Sequence, residues 1–208
     1  MRRATKTTAA WLGLAAGVAG LEHGYFEILQ GDTRPDGMMI ASIGPPCIPT
    51  EAWNACEPAL TIIPNLFLSG AISVTLGVAI LVWSAGFLQR AHAGIVLMLL
   101  SMALLLFGGG IFPPLIGVIG GAVATQIHRP VTRDPGQITR MGAGLWPWPL
   151  AALITWLLAQ FAVGYFFNDA LRDAMGIAMF VILMLLPLAV YSGYARDVVV
   201  LSRIRQSP

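Results

Sequence analysis

Charge is scarce in this sequence. Twelve Lys and Arg and ten Asp and Glu in 208 residues amount to 11% charged, against roughly 25% in a soluble domain. That is too little to wet a globular surface. The net charge of +2 is spread along the chain, so no basic patch of the kind nucleic acid needs is expected. Cysteines number two and histidines three. His92 and His128 fall at segment edges, which leaves His23 as the only histidine at membrane depth and removes bis-histidine haem ligation within one chain. The chain also lacks a P-loop, a GxSxG elbow, an HExxH helix and a dinucleotide fingerprint, so no motif points to a cofactor or a familiar enzyme class.

What is present is apolar: 57% hydrophobic residues with a mean hydropathy of +0.76. They fall in long runs, and a run of about 18 or more reads as a transmembrane helix. The runs lack the alternation of a membrane β-barrel. The expected class is an all-α, polytopic integral membrane protein, a single membrane domain over 1–208, multi-pass in a bacterial type of cell membrane. Arg2, Arg3 and Lys6 before an apolar stretch also fit a signal peptide. That stretch runs from Thr8 to about Leu29, too long for a signal core, and Gly20-Leu21-Glu22-His23 is a poor cleavage site.

Six apolar segments are expected, at Thr8–Leu29, Ala59–Gly86, Gly94–Gly110, Pro114–Ile127, Trp146–Phe167 and Ala174–Tyr194. The third and fourth are short. They could form one long helix, or a hairpin folded over residues 108–114, re-entrant or fully spanning. Cytoplasmic loops are enriched in Lys and Arg, and this separates the two. With a hairpin and the N-terminus inside, Arg2, Arg3, Lys6, Arg90, Arg129, Arg133, Arg140, Arg196, Arg203 and Arg205 lie inside, and only Arg34 and Arg172 outside. One long helix gives five against seven. The hairpin is preferred, with both termini cytoplasmic.

In that topology the loop over 30–58 is extracytoplasmic and holds both cysteines. A Cys47–Cys56 disulfide fits an oxidising compartment, and closing so small a ring stabilises by about 2.5–3 kcal/mol on the chain-entropy account. Pro45, Pro46, Pro49 and Pro58 stiffen the loop. Pro187 is expected to kink the last helix.

Glu22, His23 and Glu27 lie within six residues of the first segment. An ionisable group at membrane depth costs at least ~2.5 kcal/mol on insertion scales, so it marks a functional site by default. His23 and Glu27, four apart, share a helix face. Gly13, Gly17, Gly20 and Gly24 form a neighbouring stripe suited to close approach of another helix, either within the chain or in a membrane-protein partner or second copy. Glu22 projects elsewhere and needs its own partner. Helical rise places Asn65 and Gln160 at about the depth of His23, with Glu27 and Glu57 above, near the outer mouth. The expected ligand-binding set is therefore Glu22, His23, Glu27, Glu57, Asn65 and Gln160, lining a small vestibule open to the outside. For Asn65 and Gln160 simple helix–helix pairing is the plainer account.

Three functions fit. One is a transporter or channel-like protein taking a cation, proton or small polar ligand. Another is an accessory or structural subunit of a larger membrane complex. The third is a membrane-embedded enzyme using a Glu/His pair as acid and base. No metal set is complete by sequence, since a structural site usually wants four good ligands.

Overall fold

The computed structural model describes residues 1–42, 57–132, 134–167, 170 and 173–206. The expected Cys47–Cys56 disulfide and Pro45, Pro46 and Pro49 lie outside the described residues, as do Arg133 and Arg172. Among the described residues the chain forms seven helices and one two-stranded ribbon. They are α1 (Arg3–Leu29), β1 (Met39–Ala41), β2 (Pro58–Leu60), α2 (Leu66–Gly86), α3 (Ala93–Leu106), α4 (Phe112–Ala124), α5 (Gln137–Leu145), α6 (Trp148–Phe166) and α7 (Met175–Gln206).

α1 is the hub, packing against α2, α4, α7 and, at a smaller contact, α6. Its small residues explain this. Ala9, Gly13, Ala16, Gly17, Gly20 and Gly24 are all buried, so neighbouring backbones can come close. Gly17 meets Gly77 of α2 and Gly24 meets Gly70, a constant antiparallel register. A Cβ on Gly20 would overlap Leu104 of α3 instead. A helical glycine costs about 1 kcal/mol against alanine. The close contact it permits gains dispersion and, here, a bond from Ser73 Oγ to the Gly20 carbonyl at 3.2 Å. Gly13 faces Ser84 of α2 and Leu97 of α3, so all four glycines of the α1 stripe make close contacts within the chain.

Apolar side chains fill both flanks of α1. Ala9, Ile80, Leu97, Leu104 and Val123 form one core between α1 and the α2–α4 group. Leu12, Ile116, Leu153, Ile182 and Ala189 form another with α6 and α7. The start of α1 has no side-chain cap of its own. Asp197 of α7 supplies it, accepting from the Ala4 and Thr5 amides at 3.0 and 2.7 Å.

α3 and α4 fold back on each other, with Gly94 against Gly121 and Gly117 against Ser101. The hairpin turns over residues 107–111. Pro113 and Pro114 belong to the first turn of α4, where their missing amides cost no helical bond. At 14 and 13 residues, the two helices reach about 20 Å each, short of a ~30 Å hydrocarbon core.

Several boundaries differ from the sequence expectation. Residues 58–60 pair with 39–41 as a ribbon, so the second apolar segment becomes helical only at Leu66, after an Asn65 cap. α5, set at 42° to α6, precedes the fifth segment. α7 runs through Pro187 and twelve residues beyond Tyr194. By length and composition two helices can cross a membrane, Leu66–Gly86 and Gly176–Gln206, and α5 with α6 makes a third if that bent pair is one span. α1 carries Arg3, Lys6, Glu22, His23 and Glu27 and does not meet that criterion.

Candidate functional site

The last turns of α1 present Glu22, His23 and Glu27. His23 is 5% exposed and Glu27 is 0% exposed, as expected for two residues one turn apart on the packed face. What covers them is the α3–α4 turn. Gly108 has φ +90° and Gly110 φ +79°, a region that side chains rarely adopt. A Cβ at Gly108 would overlap both carboxylate oxygens of Glu27, and one at Gly110 would stand 2.5 Å from His23 Nε2. Both glycines are needed twice over, for the bend and for the space.

The turn is held down by the segment after β2. Gly108 N–H donates to Leu60 O at 2.8 Å and Ile62 N–H to Leu106 O at 3.0 Å. Ser69 Oγ of α2 lies 2.7 Å from Thr61 Oγ1 and 3.2 Å from the Phe107 carbonyl. A second set of bonds sets Glu57. Gln30 Nε2, just past α1, donates to Ala41 O (3.1 Å) and Ser42 O (2.7 Å). Ser42 in turn donates its amide (3.0 Å) and hydroxyl (2.9 Å) to the Glu57 carbonyl. So anchored, Glu57 brings Oε2 to 3.2 Å from His23 Nε2, with 34% of its side chain exposed.

Glu27 has no such partner: neither of its oxygens receives a hydrogen bond. The donor nearest to it is the Ser69 hydroxyl of α2, whose single proton is shared among Glu27, Thr61 Oγ1 and the Phe107 carbonyl. The Nδ1 atom of His23 is likewise buried without a hydrogen bond. α2, α3 and α4 contain no titratable side chain at all, so they bring no counter-charge to Glu27. A buried carboxylate left in this state is costly.

The structure gathers Glu22, His23, Glu27 and Glu57 at one end of α1. Glu22 is half-buried, and the carboxylate of Glu57 is close enough to act on it, so the neighbour Glu22 meets is another carboxylate. The acid–imidazole pair in contact is His23–Glu57, where the sequence had suggested His23–Glu27. Asn65 does not join a polar layer with His23. It caps α2, accepting from Leu68 N–H at 2.9 Å, and its amide donates to Asp32. Gln160 is half-buried on α6, with a contact of its own. The vestibule is also less open than expected, since Glu27 is fully enclosed. Among the described residues no three His, Cys, Asp or Glu side chains converge so as to hold a metal ion.

Sequence reasoning missed the role of Gly108 and Gly110. Three consecutive glycines interrupting an apolar run are a visible signal for a turn. That the turn closes over Glu27 needs the packing of α3 on α1 and β2. One carboxylate, Glu57, touches the imidazole, and Glu27 lies one helical turn away on the same face of α1, so acidic groups outnumber basic ones at this end of the helix. No family model, curated protein or solved structure matches the chain.

Proposed function

We propose that the chain is a small multi-pass membrane protein, transporter or channel-like, that binds a cation or proton at Glu22, His23, Glu27 and Glu57 on the extracytoplasmic side. The observation that carries this reading is Glu27, fully buried with both oxygens unbonded. A group so expensive to desolvate is retained where its charge is used.

The reading takes six segments across a cell membrane with both termini inside. Ten Lys and Arg against two support it. α1 fits as a segment packed by several others: His23 and Glu27 face protein, so it can be less apolar than a lipid-facing helix. The short α3–α4 hairpin, broken at glycines, suits non-helical backbone buried in protein at membrane depth, the setting in which transporters place their sites.

The test is reconstitution into liposomes. Flux of protons, monovalent cations or small polar solutes should be measurable, and Glu27→Gln should abolish it. Vesicles that conduct none of these, or a Glu27→Gln protein as active as the parent, would remove the reading.

One observation favours a subunit role. Trp11, Val18 and Tyr25, seven apart, form an exposed apolar row along α1, with Glu22 beside them. Purification in mild detergent decides: a fixed partner chain supports this role, and a monodisperse single chain removes it.

A further inference from the structure

α5 takes no part in the site above, and its nine residues present three faces at about 100° per residue. Gly142 and Ala143 are buried against α7. A Cβ on Gly142 would stand 2.5 Å from the Tyr191 ring, and Ala143 packs with Ala195 and Val199. Ile138, Met141 and Leu145, three and four apart, form a second face, exposed by 76%, 67% and 50%. Gln137, Arg140 and Gly144, also exposed, make a polar flank beside it.

The apolar row runs on through Trp148, 74% exposed, into α6. That helix has 19 residues and no charged side chain. By itself it reaches about 28 Å, close to a ~30 Å hydrocarbon core. α5, bent 42° away from it, is left at the edge of the core, the depth that tryptophan prefers. An apolar row with a polar flank is the pattern of a helix lying in a membrane surface.

Charge completes the fit. Ala195 and Val199, on which α5 packs, flank Asp197, the cap of α1. α5 therefore sits at the end of the molecule where α1 begins. Arg3, Arg129, Arg140 and Arg203 are exposed at that end. Among the described residues its acids are Asp134, paired with Arg205, and Asp197, held by the α1 amides. The proposed topology makes this end cytoplasmic, where the leaflet surface is negative.

We infer that α5 is an interfacial helix seated on anionic lipid. Ile138, Met141, Leu145 and Trp148 enter the acyl boundary, and Arg140 on the flank meets headgroup phosphate. α7 holds the helix from its third side, so the membrane covers the face that no other part of the described chain covers.

The test uses the full chain in nanodiscs of phosphatidylcholine and phosphatidylglycerol, with a genetically encoded nitroxide side chain at single positions. At 138, 141 and 145 the label should collide with oxygen more than with a water-soluble nickel complex, and at 137 and 144 the order should reverse. These positions are exposed, so the label leaves the packing on α7 alone. Nickel dominating at all five, or dipolar broadening at 141 from a second copy, overturns the membrane seat. Phosphatidylglycerol should bind more tightly than phosphatidylcholine in native mass spectrometry. Arg140→Gln should weaken the former by about fivefold, the worth of one basic side chain at an anionic surface. Arg140→Lys keeps the charge without the Nε bond to the Pro135 carbonyl and should keep the affinity. Equal binding of the two lipids, or a loss shared by Arg140→Lys, overturns the anionic preference. The inference takes its side of the membrane from the reading above. Collisions report depth and terminal reporters report side, so failure of one is told apart from failure of the other.

Discussion

Gly24 of α1 and Gly70 of α2 lie backbone to backbone. A Cβ on Gly24 would stand 2.7 Å from the Gly70 carbonyl oxygen, and one on Gly70 would stand 2.5 Å from that of Gly24. This contact fixes α2 against the turn of α1 that carries His23 and Glu27, so the site inherits its rigidity from two absent side chains.

Replacing either glycine by alanine must push the helices apart. Gly24→Ala and Gly70→Ala should each destabilise by about 1–3 kcal/mol, the usual cost of overpacking. Thermal unfolding in detergent measures it. Gly144, in α5, has nothing near its missing side chain. Gly144→Ala should be neutral or stabilising by up to about 1 kcal/mol.

At Gly108 two costs combine. A positive φ costs a non-glycine residue about 1–2 kcal/mol, and the added methyl also meets the Glu27 carboxyl. Removing the obstacle should return part of the loss. In a double-mutant cycle, Gly108→Ala with Glu27→Ala should be less destabilised than the sum of the single changes, by roughly 0.5–3 kcal/mol. Strict additivity would show that the turn does not rest on Glu27.

Asp197 joins the far end of the chain to the start of α1. Its two oxygens accept from two amides that the helix cannot satisfy itself. Asp197→Ala should cost about 1–3 kcal/mol. Asp197→Asn keeps one acceptor and should cost less. Equal losses in the two variants would point to packing, not capping.

A pair close to the same end should matter little. Arg205 Nη2 lies 2.6 Å from Asp134 Oδ1, but the side chains are 46% and 65% exposed. Solvent screens such a pair, and Arg205→Ala should change stability by less than about 1 kcal/mol. The difference should shrink further in high salt.

The proposed topology places both ends of the chain on one side. Reporter fusions at Met1 and at Pro208 should both give cytoplasmic signals, and a reporter inserted near Asp36 should give the opposite one. Ends on opposite faces would remove the six-segment reading and leave the helical fold untouched.

Composition and apolar run length are sums over the chain, so the sequence alone announces a helical, membrane-type protein. Local chemistry was equally legible. Three successive glycines with two prolines announce a hairpin break, and Glu22, His23 and Glu27 stand out in an apolar segment because desolvation makes them costly wherever the segment goes. Depth along a helix was a poorer guide. Asn65 looked like a mid-segment polar group, but a ribbon at 58–60 consumed the residues before it and turned it into a cap, because the strand pairing with 39–41 is non-local. Only the tertiary structure decided that Glu57, far from His23 in sequence, would reach its imidazole, that the glycine stripe of α1 would be spent on α2 and α3, and that a turn would seal Glu27. These depend on which surfaces meet. That is fixed by the fit of whole helices, where one missing methyl can set a distance, and no single segment carries the information.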